Sequence, residues 1–85
     1  MDKYNLIFRQ QRRNDQGEFL ILFSKSEPLP WGIKTENAEH YFKSLHACVD
    51  FARDMGWIDD SERRLIFIIL IPREVELVKM HNQGI

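Results

Sequence analysis

Seven consecutive apolar residues, from Leu65 to Ile71, constrain the fold of this chain more than any other feature. Four of the seven are Ile, and β-branched side chains fit a pleated surface better than a helix. The run has the length of a strand, follows the charged segment 59–64 and is stopped by Pro72. We therefore predict that residues 65–71 form an inner strand of a sheet, buried on both faces.

Both faces of that strand need a cover. Alternate residues of a strand point to opposite sides. Ile66, Ile68 and Leu70 would lie on one face, and the other four apolar side chains would lie on the opposite face. The rest of the chain, or a partner, must therefore shield the sheet on each side.

The bulk composition is that of one small soluble domain. Of the 85 residues, 44% are hydrophobic and 29% are charged, so we predict a single domain, 1–85. The net charge of −1 argues against general binding of polyanions or membrane surfaces. The single cysteine cannot form an internal disulfide, the polar N-terminal residues do not resemble a signal peptide, and no apolar run approaches the length of a membrane span. We expect a cytoplasmic protein with no membrane partner.

An N-terminal β-hairpin is predicted around the turn 14–17, which reads Asn-Asp-Gln-Gly. A four-residue loop would pair Arg13 with Glu18, and hence Phe8 with Phe23. The face predicted to be core carries Tyr4, Leu6, Phe8, Phe19, Ile21 and Phe23. The opposite face carries Asn5, Ile7, Arg9, Gln11, Leu20 and Leu22.

One main helix is predicted at about 45–55, packed on one face of the sheet. Ser44 is a good N-cap, apolar residues come after it at helical spacing, and Gly56 occupies the position of a C′ residue. Two interpretations compete for the segment before it. One is a helix capped by Asn37, and the other, which we favour, is a short strand at 39–43.

Two interpretations also compete for the segment after Pro72. As a helix, it would have a proline at its first position and Lys and His in its last turn. As a strand at 74–80, it would alternate Val75 and Leu77 with glutamates. We favour the strand slightly, because no N-cap residue precedes Pro72. The predicted fold class is therefore α+β, a small and mainly antiparallel sheet with one main helix on one face.

In this predicted fold, the second face of the sheet is an apolar patch of a few hundred Å² without an obvious cover. The C-terminal segment folded as a helix, a second copy of the chain, or a different protein would each cover it, and we favour a homodimer. Trp31, in the breaker-rich segment 26–32, is either a lid over the core, which we favour, or an exposed contact residue. The candidate interface residues are Ile7, Leu20, Leu22, Ile66, Ile68, Leu70 and Trp31.

No arrangement of residues in the sequence points to catalysis, a metal or a cofactor. The ligand-type residues His40, His46, Cys48 and His81 have no recognised zinc spacing. Cys48 also lies on the apolar stripe of the predicted helix, where a thiol acts as a small hydrophobe. The carboxylates at 59–62 are most simply a solvated turn, and no glycine-rich phosphate loop is present. We predict that the protein is not an enzyme.

The predicted function is that of a small protein-binding or regulatory module that self-associates through the second face of its sheet. The alternative is nucleic-acid binding by the basic end of the hairpin, since a two-stranded ribbon fits a major groove. The near-zero net charge and the acidic residues of the same hairpin argue against this alternative. Its candidate residues are Arg9, Gln11, Arg12 and Arg13.

Overall fold

The computed structural model describes residues 3–83, with side chains described for residues 3–77. An antiparallel sheet of four strands precedes two helices in the chain, which confirms the predicted α+β class. Each strand pairs with the strand before it in the sequence. The elements are β1 (Asn5–Gln11), β2 (Glu18–Phe23), β3 (Trp31–Lys34), β4 (Glu39–Phe42), α1 (Leu45–Asp54) and α2 (Asp60–Gln83).

Both helices pack on the same face of the sheet, which we call the inner face. Helix α1 contacts β3, β4 and α2. Helix α2 runs along β1 in the opposite direction. Near its start, Gln10 Nε2 donates to Glu62 Oε2 over 2.9 Å, and farther along, Leu77 lines a small cavity together with Asn5 and Phe23. The core therefore lies between the inner face and the two helices. Its buried members are Phe19, Ile21, Phe23, Trp31, Ile33, Leu45, Cys48, Val49, Ala52, Trp57, Ile58, Ile66 and Leu70.

The N-terminal hairpin is confirmed, but its register differs from the predicted one by two residues. Its tip takes six residues rather than four, so that Gln11 pairs with Glu18 and Phe8 pairs with Ile21. Positive φ angles at Asn14 (63°) and Asp15 (53°) turn the longer loop, as these residue types tolerate. A shift of two residues leaves each side chain on its face, so Phe8, Phe19 and Phe23 remain at the core. Tyr4 does not, because its ring packs against that of Tyr41 at a centroid distance of 4.9 Å.

A β-bulge at Ile7 corrects the predicted faces at the start of β1. The register shifts between Leu6 and Phe8, so that Ile7 has no pairing partner and Leu6 pairs with Leu22. The extra residue turns Leu6 to the outer face, where 46% of it is exposed, and lets both Ile7 and Phe8 pack against the core. The predictions that Tyr4 and Leu6 are core and that Ile7 lies on the second face are therefore wrong.

Helix α1 and strand β4 lie where the sequence predicts them. Ser44 Oγ accepts a hydrogen bond from the Ala47 N–H at 3.1 Å, which caps α1. Gly56 comes after the helix with a φ of 78°, a conformation that a glycine adopts without strain. The favoured short strand is confirmed as β4, and the alternative of a helix capped by Asn37 is wrong.

The predicted inner strand at 65–71 is wrong, because these residues belong to helix α2. A capping box starts this helix: the Glu62 N–H donates to Asp59 Oδ1 at 2.8 Å, and the Asp59 N–H donates to Glu62 Oε1 at 3.1 Å. Pro72 does not end the helix but lies within it. The predicted strand at 74–80 is therefore wrong as well, and α2 continues through it.

The place of the predicted inner strand is taken by β3, which begins in the segment 26–32 that we interpret from the sequence as a breaker-rich connection. Its prolines, Pro28 and Pro30, precede the strand rather than interrupt it. Trp31 opens β3 and is only 2% exposed. Its ring centroid lies 4.7 Å from that of Phe23. Trp31 is thus a core residue, and the interpretation as an exposed contact residue is wrong.

Candidate protein-docking surface

Helix α2 carries an apolar surface on the side that faces away from the sheet. Five aliphatic side chains on this side each expose between 48% and 62% of their surface, and an exposed proline lies among them. We call this surface the α2 stripe. Its members are Leu65, Ile68, Ile69, Ile71, Pro72 and Val75.

The spacing of the stripe is that of a helix–helix seam. Leu65, Ile68, Pro72 and Val75 succeed one another at steps of three, four and three residues, the repeat of the a and d positions in a coiled coil. Ile69 and Ile71 widen the seam by one residue on each edge. On the opposite side of the helix, two core residues one turn apart are each about 1% exposed: Ile66 and Leu70. Helix α2 is therefore apolar on two sides, and its own fold covers only one of them.

The exposed area is large enough for a specific contact. Five side chains of this size, about half exposed, offer on the order of 500 Å² per chain, so that two paired chains would bury about 1,000 Å², the lower limit for a specific interface. The largest apolar patch on an ordinary monomer covers about 300–600 Å² and is often functional. The stripe is thus the part of the described surface with the strongest reason to be covered.

Polar contacts along its inner side fix the orientation of α2, and hence of the stripe. Arg63 Nε donates to Asp50 Oδ1 on α1 at 2.6 Å. This hydrogen bond and the charge of Arg63 hold the pKa of the Asp50 carboxyl below its usual value. The Arg63 guanidinium also lies 4.8 Å from the centroid of the Phe67 ring. At the start of the helix, Arg13 Nη1 lies 2.7 Å from Asp59 Oδ2.

An open groove runs between α1 and α2 along the Ile71 edge of the stripe. It has a volume of about 630 Å³, and Arg53, Arg64 and Phe67 are among its lining residues. Arg53 lies within 4 Å of several carboxylates, including that of Asp60 at 3.7 Å. Arg64 has no ion-pair partner among residues 3–77. Among the described residues 3–77, Arg64 is thus an unpaired positive charge at the border between the groove and the stripe.

Of the seven predicted interface residues, only Ile68 belongs to the stripe. Ile66, Leu70 and Trp31 are buried in the core, and Ile7 packs against it. The other two candidates, Leu20 and Leu22, are half-buried on the outer face of the sheet. The structure therefore divides the predicted interface between the core and two separate surfaces.

Side chains of the sheet itself shield much of its outer face. The Tyr41 ring lies over Gly32, where a Cβ atom would come within 2.9 Å of the ring. The Tyr41 hydroxyl donates to Glu39 Oε2 at 2.8 Å, and Lys34 Nζ lies 3.4 Å from Glu39 Oε1. Leu6 is the large aliphatic residue that remains most exposed on this face. The outer face therefore offers less exposed apolar surface than the α2 stripe.

The basic end of the hairpin has a structural role in this fold. The Arg12 guanidinium lies 5.1 Å from the centroid of the Trp57 ring and donates to the carbonyls of Gln16 and Gly17. Arg13 is paired with Asp59. Of the four nucleic-acid candidates, Arg9 and Gln11 remain exposed on β1, and no charged group within residues 3–77 pairs with Arg9.

Among the residues whose side chains are described, the candidates for metal binding and nucleophilic chemistry do not assemble into a site. Within the part of the chain that the structure describes, no three His, Cys, Asp or Glu side chains cluster as metal ligands would. His81 lies outside the residues whose side chains are described. Burial raises the pKa of the Cys48 thiol to about 12, so the thiolate that nucleophilic attack requires is scarce at neutral pH.

Four aliphatic members of the stripe are not predicted from the sequence, since the strand assignments place 65–71 and 74–80 in a sheet: Leu65, Ile69, Ile71 and Val75. The three-four-three spacing from Leu65 to Val75 is the signal that could have found the seam.

None of the helices in the described range 3–83 has the length and apolarity needed to cross a bilayer. Comparison with protein families, with curated proteins and with solved structures found no match for this chain.

Proposed function

We propose that this protein is a small protein-binding module that self-associates through the α2 stripe. The observation that carries the proposal is the stripe itself: five aliphatic side chains, each about half exposed or more, on the outward side of one helix. The exposure of so much contiguous aliphatic surface to water is unfavourable in free energy. The proposal assigns the protein no catalytic role.

The chemistry of the stripe and its rim supports a protein as the partner. The seam is aliphatic, and charged residues of both signs, Arg64 and Glu76, lie beside its two ends. An apolar centre with a polar rim is the usual anatomy of a protein–protein interface. A second copy is the occupant that we propose, because its own stripe offers the same apolar area and the same helical spacing.

The proposal is tested by the mass of the protein in solution. Size-exclusion chromatography with light scattering should give twice the chain mass for the native sequence and the chain mass for Ile68→Glu. Ile68 is 62% exposed, so the charge enters water in the monomer and does not disturb the core. Circular dichroism and the urea midpoint establish that the variant remains folded.

Leu6→Glu is the matched control. It introduces the same charge at a half-exposed aliphatic residue on the outer face of the sheet, and it should leave the dimer intact. A native protein that is monomeric at every accessible concentration would refute self-association. A dimer that Leu6→Glu dissociates and Ile68→Glu does not would assign the interface to the outer face of the sheet instead.

Nucleic-acid binding by the hairpin stays a prediction, and the contacts of Arg12 and Arg13 reduce its support. Its test is retention of the protein on DNA and RNA columns at low salt, with Arg9→Ala as the comparison. A phosphate binder loses affinity steeply as the salt concentration rises. Absence of retention at low salt would rule out this alternative.

A further inference from the structure

We infer that two copies of this chain pair their α2 helices antiparallel, about a two-fold axis level with Leu70. The inference rests on the proposed function and specifies its geometry. Three properties of the stripe support it: the positions of its seam residues, the residues on its two edges, and the charges at its ends.

The seam is symmetric in sequence about Leu70. Leu65 and Val75 lie five residues before and after it, and Ile68 and Pro72 lie two residues before and after it. A two-fold interface must be complementary to itself. Antiparallel pairing about this point sets Leu65 against Val75 of the partner subunit, and Ile68 against Pro72 of the partner subunit. Each seam residue then meets an apolar residue.

The edges of the seam distinguish the antiparallel pair from the parallel one. An antiparallel two-fold keeps each edge on its own side, so that Ile69 faces Ile69 of the partner subunit and Ile71 faces Ile71 of the partner subunit. In a parallel pair, each edge residue faces the opposite edge of the other helix, five residues farther along. Arg64 would then face an isoleucine, and Ile71 would face a glutamate. The antiparallel arrangement avoids both mismatches.

The charges at the ends of the seam agree with the same arrangement. Arg64 lies on the Ile71 edge, and Glu74 lies one position outside that edge, toward α1. Neither has an ion-pair partner among residues 3–77. Arg64 lies six residues before Leu70 and Glu74 lies four residues after it. In the antiparallel pair, Arg64 therefore lies within one helical turn of Glu74 of the partner subunit, and the two-fold creates this ion pair twice. Rim charges of this kind select orientation more than they add affinity.

Disulfide trapping tests the orientation directly. Two variants, Leu65→Cys and Val75→Cys, are oxidised separately and as an equimolar mixture, and the products are separated on a non-reducing gel. In the antiparallel pair only the mixture should form a covalent dimer, since residue 65 faces residue 75. The native Cys48 is fully buried and does not compete. Met55→Cys, which places an exposed thiol outside the stripe, should not cross-link.

The possible outcomes separate failure of the inference from failure of the proposed function. Covalent dimers from either variant alone would establish a parallel pair and overturn the inference. The absence of covalent dimer in the mixture, while light scattering still shows a dimer that Ile68→Glu dissociates, would overturn the orientation and leave the docking surface standing. If light scattering shows only monomers, both fail together.

A charge-reversal series provides an independent readout. Arg64→Glu should weaken dimerisation about tenfold, because it turns two rim attractions into repulsions. Adding Glu74→Arg to the same chain restores both pairs with their signs exchanged, so the double variant should regain most of the lost affinity. A double variant that dimerises no better than Arg64→Glu would show that these two residues are not neighbours across the interface.

Discussion

Cys48 behaves as an apolar core residue of this fold. Its side chain is fully buried, and its Sγ lies 3.6 Å from the Gly32 carbonyl oxygen. The core offers no opposite charge that would stabilise a thiolate, so desolvation raises the pKa of the thiol to about 12. Its neighbours on α1, Val49 and Ala52, are equally buried.

We expect Cys48 to react with a thiol reagent such as Ellman's reagent only when the protein unfolds. Labelling at pH 8 should track the rate of unfolding and become fast in concentrated urea. Fast labelling of the native protein would contradict the burial.

The raised pKa also makes the stability depend on pH. The pKa of the Cys48 thiol is about 12 in the folded state, against the usual value of 9.0, so between these two values ionisation of the thiol stabilises only the unfolded state. The stability should therefore decline as the pH rises from about 9 toward 12, and Cys48→Ala should lack this part of the decline.

At this scale, the two helix caps show how far single residues predict structure. Ser44 is recognisable because an apolar helical pattern begins directly after it. Asp59 and Glu62 form an equally good capping box, yet they stand in a run of charges that is most simply interpreted as a solvated turn. The two caps differ in the residues that come next. Two arginines and then seven apolar residues without any gap come after Glu62, so the helical spacing that runs from Leu65 to Val75 is hidden within an unbroken apolar run.

Among the elements, α2 tolerates a proline because of where the proline lies. Pro72 has no N–H, so the Ile68 carbonyl lacks its helical donor. Both residues lie on the exposed side of the helix, where water can satisfy that carbonyl in the single chain. Beyond the proline, Leu77 still packs against the core.

Replacing Pro72 by Ala should stabilise the fold by about 1–3 kcal/mol, because it supplies the missing donor and a better helix former. Urea unfolding should be measured on the Ile68→Glu background, so that any change in dimerisation does not enter the comparison. A loss of stability would instead show that the helix needs a proline-induced bend to bring Leu77 onto the core.

The sequence predicts a strand at 65–71 where the structure has helix α2, and this error has a physical cause. A strand buried on both faces and a helix that is apolar on two sides give the same uninterrupted run of aliphatic residues. Length does not separate them, because seven residues are enough for a strand and Pro72 conceals the continuation of the helix. The hairpin, α1 and β4 are predictable because each combines a periodic pattern with a turn or a cap.

For the whole molecule, self-association predicts that stability depends on concentration. A dimer stabilises its folded subunits by mass action, so the melting temperature of the native protein should rise as its concentration rises. Ile68→Glu should melt at one temperature at all concentrations. Differential scanning fluorimetry over a hundredfold range of concentration would measure both. A native melting temperature independent of concentration would count against the dimer.

The candidate site was only partly predictable at this scale. The need for a second cover comes from counting apolar residues and does not depend on whether 65–71 is a strand or a helix. The location of the uncovered surface does depend on it, because coiling these residues sends Ile66 and Leu70 into the core and turns Leu65 and Ile69 outward. Only Ile68, which lies outward on the helix, connects the predicted interface with the observed stripe.

The order of the elements along the chain has a consequence for synthesis on the ribosome. Each strand after β1 pairs with the strand that precedes it in the chain, so the whole sheet can form from local contacts while the chain is still growing. Both helices come afterwards. Until they emerge from the ribosome, no helix covers the apolar inner face of the sheet. A nascent chain that has emerged from the ribosome up to Ser44 would therefore expose the most apolar surface, and a chaperone would bind most readily at this stage.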